Sequence, residues 1–287
     1  MSTNKLKIVS CVSMSGLGIE IHETAFVTST FRSLNEDLSR DIYAKLWNNS
    51  RTNVLVKKYL NQVCAEEVSA HCLRNRFFLE EIEKLRPEVL INFGSGFSMY
   101  PFLLDESIIN IEIDKKEIVD YKKEKVKEFQ NQEKLPKRTI HFIGVDFSED
   151  YVEGLLKRIK AIKKNKTSFI LIEGVLFFLS RKDTDKLFDF FSVLQKEGDY
   201  IGSASFQKGL KKTEGFKKLL DFCNKEMVKT EALDWQTIED GFYKENKSYD
   251  LINHQDYFSL SKKYNNEVKL EKDLILNENF YILKKIV

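Results

Sequence analysis

The sequence predicts an α/β fold: a mostly parallel sheet with helices on both faces, preceded by a helical extension and closed by an antiparallel hairpin. Three patterns predict it. Apolar residues recur at helical spacing, without strand signals, up to Leu85. From Pro87 onward, short apolar runs alternate with amphipathic helical stretches. At the end of the chain, two apolar runs flank Asn277-Glu278-Asn279.

Each element follows from its local pattern. Helices are expected over Ile21 to Leu34, Asp37 to Trp47, Asn53 to Val63 and Glu66 to Leu85, none of which contains a proline. Strands are expected at Val89 to Phe93, Ile108 to Ile113, Ile140 to Ile143, Phe169 to Ile172 and Tyr200 to Ala204. Between them, Ile118, Tyr121, Val126 and Phe129 fall on one helical arc, as do Leu155, Leu156, Ile159 and Ile162. Leu187, Phe188, Phe191 and Leu194 form a third arc, opened by Ser180 with Asp183 as a capping pair, and Phe216, Leu219, Leu220 and Cys223 a fourth. Repeated strand, helix, strand units imply right-handed crossovers in one sheet. Val268 to Leu276 and Phe280 to Val287 are expected to form the closing hairpin. With no linker or repeat, residues 1–287 read as one domain: a helical cap over 1–86, a ligand-binding core over 87–205, and a lid or helical insertion with the terminal hairpin over 206–287.

Composition narrows the class of function. A chain of 287 residues can bury roughly three-quarters of its unfolded surface and needs no staples. Forty-six Lys and Arg against forty-four Asp and Glu leave a net charge of +2, so no global charge draws it to nucleic acid or an anionic membrane. The lysine-rich stretches Lys115 to Arg138 and Lys157 to Lys166 read as solvated helix faces, the first interleaved with acids and neither with stacking aromatics. Cys11, Cys64, Cys72 and Cys223 lack metal or disulfide spacing, so reduced thiols in the cytoplasm and no bound metal are expected. Lys5 and Lys7 before Ile8-Val9-Ser10-Cys11 imitate a lipoprotein box, but only two apolar residues precede the cysteine. No run of apolar residues is long enough to span a bilayer.

The strongest local motif is Asn92-Phe93-Gly94-Ser95-Gly96, where a buried strand ends in two glycines. Glycine tolerates positive φ and lets a ligand approach the backbone, as at the first strand end of nucleotide-binding sheets. Asp114, twenty residues beyond Gly94, ends the next strand, where a carboxylate can accept both ribose hydroxyls. A dinucleotide fingerprint would require a third glycine, and Met99 stands in its place; a P-loop motif is absent. A ribose-bearing ligand without phosphate fits better, and S-adenosylmethionine is the commonest. Asp146 and Phe147 after the third strand offer a carboxylate and a ring to an adenine, and Glu173 after the fourth can pair with an ammonium.

These motifs together resemble the leucine carboxyl methyltransferases and the related bacterial polyketide-type O-methyltransferases, class I S-adenosylmethionine-dependent enzymes of Rossmann-like fold. The likeness runs from about Thr24 to Leu194. It rests on Thr24-Ala25 with Arg32, on Arg40-Asp41-Ile42-Tyr43-Ala44, on Arg74-Asn75-Arg76-Phe77-Phe78, and on Phe93-Gly94-Ser95-Gly96. Ile111-Glu112-Ile113-Asp114 with Glu117, Val145-Asp146-Phe147 and Ile172-Glu173-Gly174-Val175-Leu176-Phe177-Phe178-Leu179 complete it. The resemblance implies that Arg74, or else Arg76, binds the cofactor carboxylate. It likewise gives Gly94, Ser95 and Gly96 the methionine stem, Asp114 the ribose, Asp146 and Phe147 the adenine, and Glu173 the amino group. Where many bacterial members carry Asp-Thr-Arg after the glycines, this chain has Ser98-Met99-Tyr100, which removes two charges from the pocket rim.

The activity so implied is O-methylation of a carboxylate or hydroxyl on a small molecule, or of a protein C-terminal carboxylate, with S-adenosylhomocysteine as product. The alternative is a non-catalytic relative that binds the same ligand as a regulatory module. Transfer from a sulfonium is an in-line displacement in which the protein mainly aligns the reactants. A carboxylate acceptor is already ionised, whereas a hydroxyl wants a base; His22, His71, His141 and His254 are candidates by type only. The acceptor is expected between the N-terminal helices and the region from Gln207 to Asp256, with Trp235, Phe242 and Tyr243 as candidate lid aromatics.

Overall fold

The computed structural model describes residues 21–147, 150–226 and 235–286. Cys11 and its preceding lysines, and the side chain of His22, lie outside the described residues. The described residues begin with α1 (Ile21–Ser33), α2 (Glu36–Ser39), a 3-10 turn at Ala44–Trp47, α3 (Ser50–Gln62) and α4 (Glu67–Leu85). The second expected helix is broken. Arg40 adopts a left-handed conformation with φ 57°, ending α2, and the buried Asp41 accepts from Arg32 Nε at 2.9 Å. Asn35 and Asn49 cap α2 and α3 by accepting from Leu38 N and Thr52 N, which satisfies orphan donors at both starts.

The alternating segment follows the sequence pattern closely. It runs β1 (Val89–Phe93), α5 (Tyr100–Leu103), β2 (Ile109–Lys115), α6 (Lys116–Asn131), β3 (Ile140–Val145), α7 (Val152–Lys163), β4 (Ser168–Ile172), α8 (Arg181–Leu194), β5 (Tyr200–Phe206) and α9 (Glu214–Glu226). Then come α10 (Asp240–Lys244), β6 (Tyr249–Asp256), α11 (Tyr257–Lys263) and β7 (Glu278–Lys285). Sheet order is β3-β2-β1-β4-β5-β7-β6. The first five strands are mutually parallel, and β7 is antiparallel to both β5 and β6. Among the described strands, β7 alone therefore runs against the rest.

Two layers of apolar side chains sandwich the sheet. Val89, Ile91 and Phe93 face α8 residues such as Phe188 and Phe191, while Leu90 faces the opposite cluster built by α1, α3, α4, α9 and α11. Every residue of β1 and β4 is buried, as expected for central parallel strands. Strand order reverses between β1 and β4, and a crevice opens beyond their carboxyl ends. Register sets Phe93 level with both Ile113 and Ile172, so Gly94, Asp114 and Glu173 emerge at one height.

The terminal hairpin requires correction. β7 does pair antiparallel, but with β6 rather than with Val268 to Leu276. The latter stretch contains a 3-10 turn at Lys272–Leu274 and buries Ile275 and Leu276 beneath the helical layer. β6 escapes sequence detection because it ends in the polar run Asn253-His254-Gln255-Asp256 and is irregular between Leu251 and Asn253. Glu278 and Asn279 belong to β7 and do not form a turn. Residues 206–287 thus supply two strands of the sheet itself, beyond the lid and hairpin expected of them.

Candidate active site

The glycine turn is clamped to the neighbouring strand. Gly94 N and Ser95 N both donate to Ile113 O, at 2.8 and 3.0 Å. Gly94 has φ +75°, and a Cβ there would stand 2.2 Å from Val175 Cγ2, so no larger residue fits. Gly96 has φ +42° and donates its N–H to Asp114 Oδ2 at 2.8 Å. Asp114 Oδ1 accepts from Lys115 N at 2.7 Å. Burial pushes the Asp114 carboxyl above its usual range, and the Gly96 N–H pulls the other way. A buried network supports the turn from below: Asn92 Nδ2 donates to Ser98 Oγ at 2.7 Å, Ser98 Oγ to Ser95 O at 2.9 Å, and Lys122 pairs with Glu112.

Arg74 reaches the crevice from α4. Its Nη1 donates to Glu278 Oε2 at 2.8 Å, and its Nε lies 3.3 Å from Glu173 Oε1 without a directed hydrogen bond. Glu173 Oε2 accepts from Tyr100 OH at 2.7 Å. Burial disfavours the Arg74 charge, but the two carboxylates, Glu278 foremost, outweigh it and hold the guanidinium charged. Burial raises Glu278, and Arg74 opposes that shift. Arg76 takes no part here. Its Nε donates to Glu80 at 2.9 Å and its guanidinium lies 4.2 Å over the Tyr264 ring, facing α11.

A cavity of about 210 Å³ joins these groups: Arg74, Gly94, Ser95, Gly96, Asp114, Phe147 and Glu173 all line it. At the end opposite Arg74, Phe147 packs against Phe93 and Tyr151, with centroids 5.9 and 5.1 Å away. Asp146 departs from expectation. Its side chain is exposed and outside the cavity lining, because β3 has ended and the chain turns its alternate face to solvent. Asp183, near the start of α8, lines that end of the cavity instead. A second chamber of about 180 Å³ adjoins the first, and Thr24, Thr28, Arg74, Gly174 and Phe178 line both.

The lid aromatics divide. Trp235 lines the second chamber. Tyr243 is core, stacked on Tyr281 at 3.7 Å with its hydroxyl between Ser203 and Ser205, and Phe242 packs on Phe188 at 4.7 Å. His141 enters at the amino end of β3, away from the crevice, and His254 stacks on Tyr281 at 4.4 Å. Sequence reasoning missed Glu278, because its neighbours Asn277 and Asn279 imitate a turn. The sequence likewise carries no signal for the bond between Tyr100 and Glu173.

The profile of the leucine carboxyl methyltransferase family matches residues 32–192, more than half of the chain. The protein belongs to the leucine carboxyl methyltransferase family. As a member it is an S-adenosylmethionine-dependent methyltransferase. No curated protein sequence matches significantly. Among solved structures, a candidate methyltransferase of Thermobifida fusca YX superposes with TM-score 0.61 at 9% identity, covering 94% of this chain and 96% of its own. A DUF574-family protein of Streptomyces avermitilis MA-4680 gives 0.56 at 7% identity, covering 91% and 97%. At such identities the likeness is one of fold.

The cavity suits the family's cofactor. Ser95 Oγ is buried without a partner at the cavity wall, a hydroxyl awaiting a ligand atom. Gly94, Gly96 and Gly174 all hold positive φ along the same wall, so bare backbone is presented there. Opposite charges, Arg74 and Glu173, stand together at one end, and aromatic rings at the other. This polarity matches a zwitterionic amino-acid tail joined to a purine nucleoside. Among the described residues no group of His, Cys, Asp or Glu is placed to hold a metal, and no helix is long and apolar enough to cross a membrane.

Proposed function

We propose that this family member methylates an oxygen of a small molecule by direct in-line transfer. When bound, S-adenosylmethionine supplies a methyl group on a cationic sulfur, an electrophile that needs no further activation. Arg74 would hold its carboxylate, Glu173 its ammonium, and the Gly94-Ser95-Gly96 backbone its methionine stem. Asp114, already aimed by the Gly96 and Lys115 amides, would accept from the ribose hydroxyls, and Phe147 with Tyr151 would flank the adenine. Asp146 has no place in this scheme. The protein would act in the cytoplasm, where Cys64, Cys72 and Cys223 stay reduced.

The observation that supports this reading is the position of Arg74 and Gly174 on the shared wall of the two chambers. With Arg74 holding the cofactor carboxylate, the charged end of the cofactor would lie beside the acceptor space, and the chain would act mainly by aligning nucleophile and methyl. Calorimetric titration with S-adenosylmethionine, S-adenosylhomocysteine and NAD tests it. The first two are expected to bind and NAD to fail; NAD binding alone would overturn the reading. Binding without methyl transfer to any acceptor would favour the regulatory module instead.

A further inference from the structure

The second chamber has a composition of its own. Phe31, Tyr59, Phe177, Phe206, Phe222 and Trp235 form its walls. Phe177 packs against both Phe206 and Trp235 at 5.0 Å, and Tyr59 meets Phe222 at 5.1 Å. Arg74 is the one cationic side chain among its described lining residues, and Glu278 and Glu173 already hold it. Glu67, with Tyr59 OH 3.5 Å from its Oε2, adds a further carboxyl. A carboxylate entering this space would meet carboxyl groups and no unengaged cation, with water replaced by rings.

His71, on the α4 turn before Arg74, also lines the chamber. Its Nδ1 lies 2.9 Å from Glu67 O, and a carbonyl oxygen only accepts, so Nδ1 carries the hydrogen. The lone pair of the neutral ring is therefore on Nε2. Among the described residues that atom makes no protein hydrogen bond, and the ring that carries it lines the chamber. Burial first, then Arg74, pushes the imidazole well below its usual pKa and keeps it neutral. Arg74 and Glu67 on its own helix and Arg32 on α1 act on the ring, and the other titratable groups lining the chamber are Tyr59 on α3, Cys223 on α9 and Glu278 on β7.

We propose that this chamber takes an apolar, ring-bearing acceptor through an uncharged hydroxyl, and that His71 Nε2 receives the hydroxyl proton during transfer. The acceptor oxygen forms the O–CH3 bond as the C–S bond breaks and leaves its electron pair on sulfur. The proton passes to Nε2, giving an imidazolium whose Nδ1–H stays on the Glu67 carbonyl. This rests on the cofactor reading above.

Methyl transfer from labelled S-adenosylmethionine is measured with the full-length chain on a set of apolar alcohols and phenols headed by 2-naphthol, and on 2-naphthoate and 2-naphthylamine. The hydroxyl set should include a substrate at least tenfold better in kcat/KM than the acid or the amine. On that substrate His71→Gly should lower kcat by about a hundredfold, with KM and S-adenosylhomocysteine affinity within about twofold. Added imidazole should restore the rate, and 1,2,4-triazole, equal in size but a far weaker base, should not. Should His71→Gly fail to fold, His71→Gln carries the same kcat comparison, its fold checked by circular dichroism. Preference for the acid or the amine, no methylated hydroxyl while S-adenosylhomocysteine still binds, or equal rescue by both azoles overturns the proposal and leaves the cofactor reading standing. Absence of S-adenosylhomocysteine binding overturns both.

Discussion

Glu278 Oε2 stands 2.8 Å from Arg74 Nη1, joining the first residue of the last strand to the middle of α4 across 204 positions of sequence. Both side chains are buried. Glu278→Ala should therefore destabilise the fold by about 3 kcal/mol, the usual cost of stripping one partner from a buried pair. Thermal denaturation reads this. Arg74→Ala should in addition abolish measurable S-adenosylhomocysteine binding, whereas Arg76→Ala should leave it intact; the reverse order would move the anchor half a turn along α4.

Asp114 offers a direct probe of the ribose assignment. Asp114→Ala should weaken S-adenosylmethionine by roughly 1–3 kcal/mol, the range for hydrogen bonds to a charged acceptor. Calorimetry measures it, and unchanged affinity would refute the assignment. Asp146→Ala, outside the cavity lining, should change affinity little.

At Gly94 two costs can be separated. Gly94→Ala meets both the φ of +75° and Val175 Cγ2 at 2.2 Å. It should destabilise by about 2 kcal/mol or more and impair cofactor binding. Adding Val175→Ala should relieve the collision and recover part of the loss, while the backbone strain remains. A double variant no better than the single one would show that the collision is relieved some other way.

Burial raises the Glu67 carboxyl to about 8 from 4.5. A raised acid binds its proton more tightly in the folded state, so its stabilising effect is complete below 4.5 and lost as pH rises to about 8. Glu67→Gln removes this loss. Its melting temperature relative to the parent protein should climb across that window and level off above it; a difference independent of pH would refute the buried, protonated carboxyl.

Much of this molecule was legible along the chain. Short apolar runs set against 3.6-residue periodicity place β1 through β5 and the helices α6 to α8, because a central parallel strand is buried on both faces and a helix on one. The glycines, Asp114, Phe147 and Glu173 were legible too, since strand ends mark themselves by an apolar run stopping at a polar or flexible residue. What the chain could not announce was contact between distant segments. Asp146 and Phe147 are adjacent in sequence, yet the end of β3 sends one to solvent and the other into the cavity. Glu278 reads as part of a turn until β7 pairs with β5 and β6 and sets it against Arg74. Tyr100 reads as an apolar ring until its hydroxyl meets Glu173. Local pattern determines which face of an element is apolar. Only the register of the assembled sheet and the docking of α4 across it decide which buried charges meet, since an unpaired one could not remain there.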